Sequence, residues 1–96
     1  MIEESARISK NPNVVHRTLQ EGAVLLHLES GQYHGLNEVG TLLWELLDEE
    51  RDLAGLVAAT RKRLEDPPHQ LEVDVARFLA NLRDRDLITV DKARGD

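Results

Sequence analysis

The chain has 96 residues, of which 41% are hydrophobic, and a formal net charge of −6. This length accommodates one modest core, so we expect a single domain over residues 1–96 with frayed ends at about 1–5 and 92–96. The absence of cysteine excludes disulfides, thiolate catalysis and cysteine-based zinc sites. The acidic charge argues against nucleic acid and anionic membrane surfaces as partners. With neither a signal peptide nor an apolar run of membrane-spanning length, the sequence predicts a cytoplasmic protein.

The first third of the chain predicts a three-stranded antiparallel meander. Segment 14–19 is rich in β-branched residues and lies between turn signals at 11–13 and 21–22. A nearly continuous apolar run at 23–28 has the length of a strand, and Ser30-Gly31 offers the positive φ of a hairpin turn. Segment 32–36 is then the expected return strand.

The remainder predicts three amphipathic helices. Asn37 and Asp52 are suited to cap the first two, because apolar residues recur at helical spacing after each of them. Pro67 and Pro68 end the second helix, and a third is expected from about residue 70 to 86. Residues 87–90 are either a strand or a docking tail. Strands followed by helices indicate an α+β fold, with helices on one side of a sheet that keeps an edge open for pairing.

The residues that could carry chemistry give weak signals. With a two-residue Ser30-Gly31 turn, His27 would lie opposite His34, and the two could share a zinc ion with Glu29. No further ligand stands at metal spacing, so ordinary strand-surface histidines are the favoured interpretation, and no metal or cofactor is predicted. No serine lies in a glycine-flanked elbow and there is no glycine-rich phosphate loop, so we expect no catalytic residue and no enzyme.

Five segments carry a family resemblance in a fixed order. They are 25–37 (LLHLESGQYHGLN), Gly40, 43–47 (LWELL), 74–82 (DVARFLANL) and 86–88 (DLI), and the likeness extends over about 14–90. Together they resemble the PqqD-like family, the peptide-recognition element of pathways that modify ribosomally made peptides. The first segment is similar in particular to the standalone recognition proteins of lasso-peptide clusters.

The resemblance implies a winged helix-turn-helix-like fold in which a leader peptide adds as an antiparallel strand to the third strand and packs against the third helix. It also implies that the leader is handed to a leader peptidase, a cysteine protease, before a cyclase acts. Carried onto this chain, the peptide-binding residues are Gln32, Tyr33, His34, Gly35, Leu36, Asp74, Arg77, Phe78, Asn81 and Arg85. The backbone of residues 32–35 is the main expectation, Gly35 would allow a close backbone approach, and apolar leader residues would enter a crevice between Tyr33 and Phe78.

Two alternative functions remain open. The PqqD-like family also delivers peptides to radical enzymes, and nothing in these residues excludes that client. A winged helix could instead enter a DNA groove. The third helix, however, mixes basic and acidic residues and offers no basic face: Arg77, Arg83 and Arg85 alternate with Glu72, Asp74, Asp84 and Asp86.

Overall fold

The computed structural model describes residue 2, residues 5–49 and residues 52–91. These residues form β1 (Arg7–Lys10), β2 (Val14–Leu19), β3 (Gly22–His27), β4 (Tyr33–Leu36), α1 (Glu38–Leu46), α2 (Leu53–Arg63), α3 (Leu71–Asp84) and β5 (Ile88–Asp91). The predicted α+β order, a three-stranded antiparallel sheet followed by three helices, is confirmed. Of the two ends expected to be frayed, residues 1, 3, 4 and 92–96 lie outside the described residues, and Ile2 is buried.

The strands β2, β3 and β4 form an antiparallel meander with β3 in the centre. Along β3, Ala23, Leu25 and His27 are buried, whereas Val24 and Leu26 are partly exposed. This alternation shows a sheet that is covered on one face, and α1 packs against that face.

The β3–β4 hairpin differs in register from the sequence prediction. Leu25 lies opposite His34 and Leu26 lies opposite Tyr33, so residues 28–31 form a four-residue loop in place of the expected two-residue turn. His27 therefore does not lie opposite His34, and the cross-strand histidine pair that was considered for zinc is not formed.

The His27 residue itself stabilises the longer loop. Its carbonyl oxygen accepts a hydrogen bond from the Gly31 N–H at 2.8 Å, and its Nδ1 accepts one from the Ser30 N–H at 3.2 Å. Gly31 has a φ of +74°, which glycine adopts without strain. Turn rules that consider only Gly and Ser could not predict this loop, because the side chain of His27 stabilises it.

A second, two-stranded sheet pairs β1 with β5 and places Lys10 opposite Ile88. β5 shows that residues 88–90 of the segment 87–90 belong to a strand, which was one of the two expectations for this segment. β1 was not predicted, because Ile8 is its only apolar residue; Ile8 is nevertheless buried together with Ile88.

The first two helices begin where the sequence predicts. Asn37 Oδ1 accepts a hydrogen bond from the Gly40 N–H at 2.7 Å, and Asp52 Oδ1 accepts one from the Gly55 N–H at 2.7 Å. In the described part of the chain, no helix combines the length and apolarity that crossing a membrane requires.

The core lies between the covered face of the three-stranded sheet and the helices. Leu25 and Leu36 enter it from the sheet, Trp44 from α1, and Leu79 and Leu82 from α3, and all five are buried. This packing leaves β4 at the margin of the core with α3 beside it.

Candidate functional site

β4 is an edge strand whose outer side pairs with no strand among the described residues. The His27 N–H donates to the Gln32 carbonyl at 3.0 Å, which makes these two residues a hydrogen-bonded pair. Because such pairs alternate along an antiparallel ladder, His34 and Leu36 also direct their backbone groups at β3. The N–H and C=O groups of Tyr33 and Gly35 therefore point to the open edge. Of the residues 32–35 whose backbone was expected to bind the leader, Tyr33 and Gly35 direct their N–H and C=O groups away from β3.

The side chains of β4 alternate between the two faces of the sheet. Leu36 is buried and His34 is half-buried on the face that the helices cover, whereas Tyr33 is 72% exposed on the opposite face. The expected crevice between Tyr33 and Phe78 is therefore wrong. Tyr33 is three residues from Leu36, an odd number, and a strand places such residues on opposite faces.

One side of α3 approaches β4 at two points, Phe78 and Arg85. Asp74, Phe78, Asn81 and Arg85 follow one another at helical spacing and share this side. Phe78 lies near the start of α1, since a Cβ built on Gly40 would stand 3.2 Å from Phe78 Cε1. The other end of the row, Arg85, lines a cleft with residues of β4. We call the space between β4 and this row the β4–α3 cleft.

The polar end of the β4–α3 cleft is lined by residues from β3, β4, the loop between them and the end of α3: His27, Ser30, Gln32, Tyr33, His34, Arg85 and Leu87. Burial lowers the pKa of His34, and the nearby charge of Arg85 lowers it further. The positive charge at this end of the cleft therefore belongs to Arg85, because the imidazole of His34 resists protonation.

The structure brings together most, but not all, of the residues predicted from the sequence. His34, Leu36 and Gln32 border the cleft from the strand, and Gly35 contributes its backbone. Phe78 and Arg85 border it from the helix, with the half-buried Asp74 and the exposed Asn81 on the same side of α3. Arg77 is exposed and lies about 100° around the helix from Phe78, at the margin of this side of α3. Tyr33 offers backbone groups to the edge while its ring faces the other way.

Below the polar end, three loops are joined by a hydrogen-bond network. The Ser30 N–H points at His27 Nδ1, so Nδ1 carries no proton and Nε2 carries it. His27 Nε2 then donates to Asp86 Oδ2 at 3.0 Å, and Asn11 Nδ2 donates to the Asp86 carbonyl oxygen at 2.8 Å. Asp86 has a φ of 60°, an uncommon conformation that aspartate tolerates better than most residues. The network fixes the turn between α3 and β5 against the end of β3.

The same residues explain why a histidine–carboxylate cluster here is structural. Donor atoms of His27, Glu29 and Asp86 lie within 4.8 Å of one another, which is close enough to consider a metal ion. His27 Nε2, however, carries the proton that it donates to Asp86, and a metal ligand must offer a lone pair. Glu29 accepts a hydrogen bond from Asn13 Nδ2 at 3.1 Å. The geometry fits a hydrogen-bonded junction better than a metal site.

The outer face of the sheet exposes an apolar surface that was not anticipated. Val15, Leu26 and Tyr33 lie side by side across the three strands, and Val24 adjoins them. Val15 is 48% exposed. The signal in the sequence is the continuous apolar run of β3, which is typical of a strand that is buried on both faces. Only one of these faces is covered in the described chain. We call Val15, Val24, Leu26 and Tyr33 the outer apolar face.

Comparisons with known proteins agree with this geometry. Residues 22–88 match the family model described as Coenzyme PQQ synthesis protein D (PqqD). The structure of TbiB1 in complex with the TbiA(beta) leader peptide superposes with a TM-score of 0.74 at 31% sequence identity, over 83% of this chain and 93% of that one. A structure of lasso peptide synthetase B1 complexed with the leader peptide superposes with a TM-score of 0.72 at 24% identity, over 86% of this chain and 98% of that one, and it supports the fold alone. No curated protein matches the chain. The family match covers more than half of the sequence, and the chain belongs to the PqqD family.

Proposed function

We propose that this protein binds the leader segment of a ribosomally made precursor peptide as an added strand on β4, without itself catalysing a reaction. The observation that carries the proposal is the open edge of β4, where the backbone groups of Tyr33 and Gly35 face outward beside the β4–α3 cleft. Support comes from the similarity to TbiB1, which was solved with a leader peptide.

In strand addition, backbone hydrogen bonds provide affinity and side-chain contacts provide specificity. Hydrogen bonds to Tyr33 and Gly35 provide affinity with little dependence on leader sequence. Leader residues opposite His34 and Leu36 direct their side chains into the cleft, and the residues between them direct theirs to the outer face. A dissociation constant between 1 µM and 1 nM needs about −8 to −12 kcal/mol, which a few buried apolar anchors can supply after the leader has been ordered.

The proposal further includes delivery of the bound leader to processing enzymes, a leader peptidase of the cysteine-protease class and then a cyclase, in lasso-peptide biosynthesis. Two observations favour it: the similarity to TbiB1 and the outer apolar face, of which a leader on β4 would contact only the margin at Tyr33. Because ribosomes make the precursor in the cytoplasm, the complex would form there. The family match alone suits delivery of a peptide to a radical enzyme equally well.

A titration with matched glycine variants tests leader binding. The probe is a fluorescein-labelled leader peptide of the precursor encoded beside this protein's gene, and the signal is anisotropy at low and high salt. We expect submicromolar, weakly salt-dependent binding. Gly35→Pro removes an N–H that points to the open edge and not to β3, so it should weaken binding by at least about tenfold while the protein stays folded.

Gly35→Ala is the control for this titration. A Cβ at Gly35 would contact nothing within 4 Å, and the backbone N–H is kept, so binding should change by less than about twofold. Circular dichroism confirms that both variants are folded. Equal binding by Gly35→Pro and the wild type would show that the leader does not pair with β4.

A further inference from the structure

The β4–α3 cleft changes in chemical character along its length. At one end, the buried Leu36 and the half-buried Phe78 meet around Gly40, and a Cβ on Gly40 would lie 3.5 Å from Leu36 Cβ and 3.2 Å from Phe78 Cε1. At the other end, the lining is polar and includes His34 and the cation Arg85. Arg85 also lines an adjoining pocket with Glu29, Asp84 and Asp86. A leader strand bound in the cleft would therefore contact an apolar surface at one end and a cation at the other.

Because side chains alternate along a strand, this change in the chemistry of the cleft corresponds to a pattern in the leader sequence. Leu36 and His34 are two residues apart on the same face of β4, so the leader residues opposite them are also two apart and point into the cleft. In an antiparallel leader, the residue opposite Leu36 comes first and the residue opposite His34 follows. The first of the two faces the apolar end, and the second faces the cation.

Arg85 has its hydrogen-bonding capacity available. Among the described residues its guanidinium forms no ion pair. Asp86, its neighbour, is held by His27 and Asn11, and the nearest cation to Asp84 is Arg83, at 3.9 Å. A guanidinium presents paired N–H donors whose geometry matches a carboxylate. A leader carboxylate is thus the group that this end of the cleft accommodates best.

We propose that the leader carries an acidic residue two positions after an apolar anchor, and that Arg85, with His34 beside it, binds its carboxylate. The inference rests on the proposed strand addition to β4 and specifies the chemistry of the peptide that the cleft selects. Arg85 is then a specificity-determining residue, whereas the edge groups of Tyr33 and Gly35 accept any sequence.

A purely structural role for Arg85 must be separated from this one. Arg85 follows the last turn of α3, where a positive charge is favoured by the helix dipole. Arg83 lies in that same last turn but does not line the cleft. Arg83→Glu therefore reproduces the charge reversal at the helix end without changing the cleft, and it is the matched control for Arg85→Glu.

Selection from a random library of displayed 12-residue peptides tests the inference with no assumption about the leader sequence. The wild type, Arg85→Glu, Arg83→Glu and Gly35→Pro are each used as bait. We expect the wild type and Arg83→Glu to enrich an apolar residue followed, two positions later, by Asp or Glu. Arg85→Glu should keep the apolar residue and replace the acid by Lys or Arg. For a purified peptide, changing its Glu to Gln should weaken binding to the wild type by about fivefold and leave binding to Arg85→Glu no weaker.

The outcomes distinguish the inference from the function on which it rests. Peptides that depend on Gly35 but show no acidic preference, or the same preference with Arg85→Glu, overturn the acidic subsite and leave strand addition intact. A preference that changes equally in Arg83→Glu shows a general charge effect and also overturns it. If no peptide is enriched, or if Gly35→Pro enriches the same peptides as the wild type, strand addition itself fails and the subsite fails with it.

Discussion

Asp86 combines two roles in one residue, because it adopts a φ of 60° and accepts a hydrogen bond from the buried His27 Nε2. Asp86→Ala removes the acceptor and places a poorly suited residue in the left-handed region. We expect it to lower the free energy of unfolding by about 2 kcal/mol. Asp86→Asn keeps an acceptor and tolerates this conformation, so its effect should stay below about 0.5 kcal/mol. Urea denaturation measures both, and equal effects would show that the network does not stabilise the fold.

His34 should make stability depend on pH. Burial, and then the charge of Arg85, place the pKa of His34 in the folded state below its ordinary value of 6.5. The unfolded chain therefore takes up the proton first. The contribution of His34 to the free energy of unfolding is fully present above pH 6.5. It is lost as the pH falls from 6.5 toward the lowered pKa of the folded state.

Comparing unfolding in urea at several pH values between 7.5 and 5 checks this sign. The wild type should lose stability on acidification more steeply than His34→Gln, which has no imidazole at this position. His69→Gln, in the exposed segment before α3, is the control and should keep the steeper dependence. Parallel curves for the wild type and His34→Gln would contradict the assignment.

At the scale of the elements, two glycines of the same sheet serve different purposes. A Cβ on Gly22 would collide with the carbonyl oxygen of Leu36, whereas a Cβ on Gly35 would meet nothing within 4 Å. Gly22→Ala forces the β3–β4 backbones apart, and we expect it to destabilise the protein by about 1–3 kcal/mol. Gly35→Ala is the matched substitution and should leave thermal unfolding nearly unchanged. Similar melting temperatures would show that the sheet yields to the extra methyl group.

The helices could be predicted from the sequence because their signals are local. Asn37 and Asp52 cap the first two helices as expected, and apolar residues at helical spacing identified the buried sides. The register of the β3–β4 hairpin could not be predicted, because His27 stabilises a longer loop with its own side chain. β1 gave no periodic signal, and its burial depends on pairing with β5 from the other end of the chain.

The candidate cleft could also be predicted in part, because some of its signals are local. Helical spacing alone places Phe78 and Arg85 on one side of α3, and the open edge of the third strand follows from a small sheet. The family resemblance assigned Tyr33 to the crevice, although the alternation of side chains from Leu36 already assigns its ring to the other face. The pairing of His34 with Arg85 requires the packing of α3 beside β4, which no local pattern reveals.

For the molecule as a whole, the three-stranded sheet has two apolar faces and one core. The helices cover the face that carries Leu25 and Leu36, and the face that carries Val15, Leu26 and Tyr33 stays open in the described chain. The edge of β4 lies between these faces. A leader on that edge would contribute alternate side chains to the cleft and to the outer apolar face, so a single strand would be in contact with both.

Separating leader binding from delivery is the test at this scale. We expect Val15→Ser to bind the labelled leader peptide within about twofold of the wild type, because Val15 lies on β2, which β3 separates from β4 and its open edge. Leader removal by the proposed leader peptidase should slow by about tenfold, because part of an apolar contact surface is lost. Val73→Ser changes an exposed apolar residue of α3 outside the outer face and is the control. Gly35→Pro should reduce both binding and leader removal, whereas cleavage of the leader at the wild-type rate with Val15→Ser would remove the outer apolar face from the delivery step.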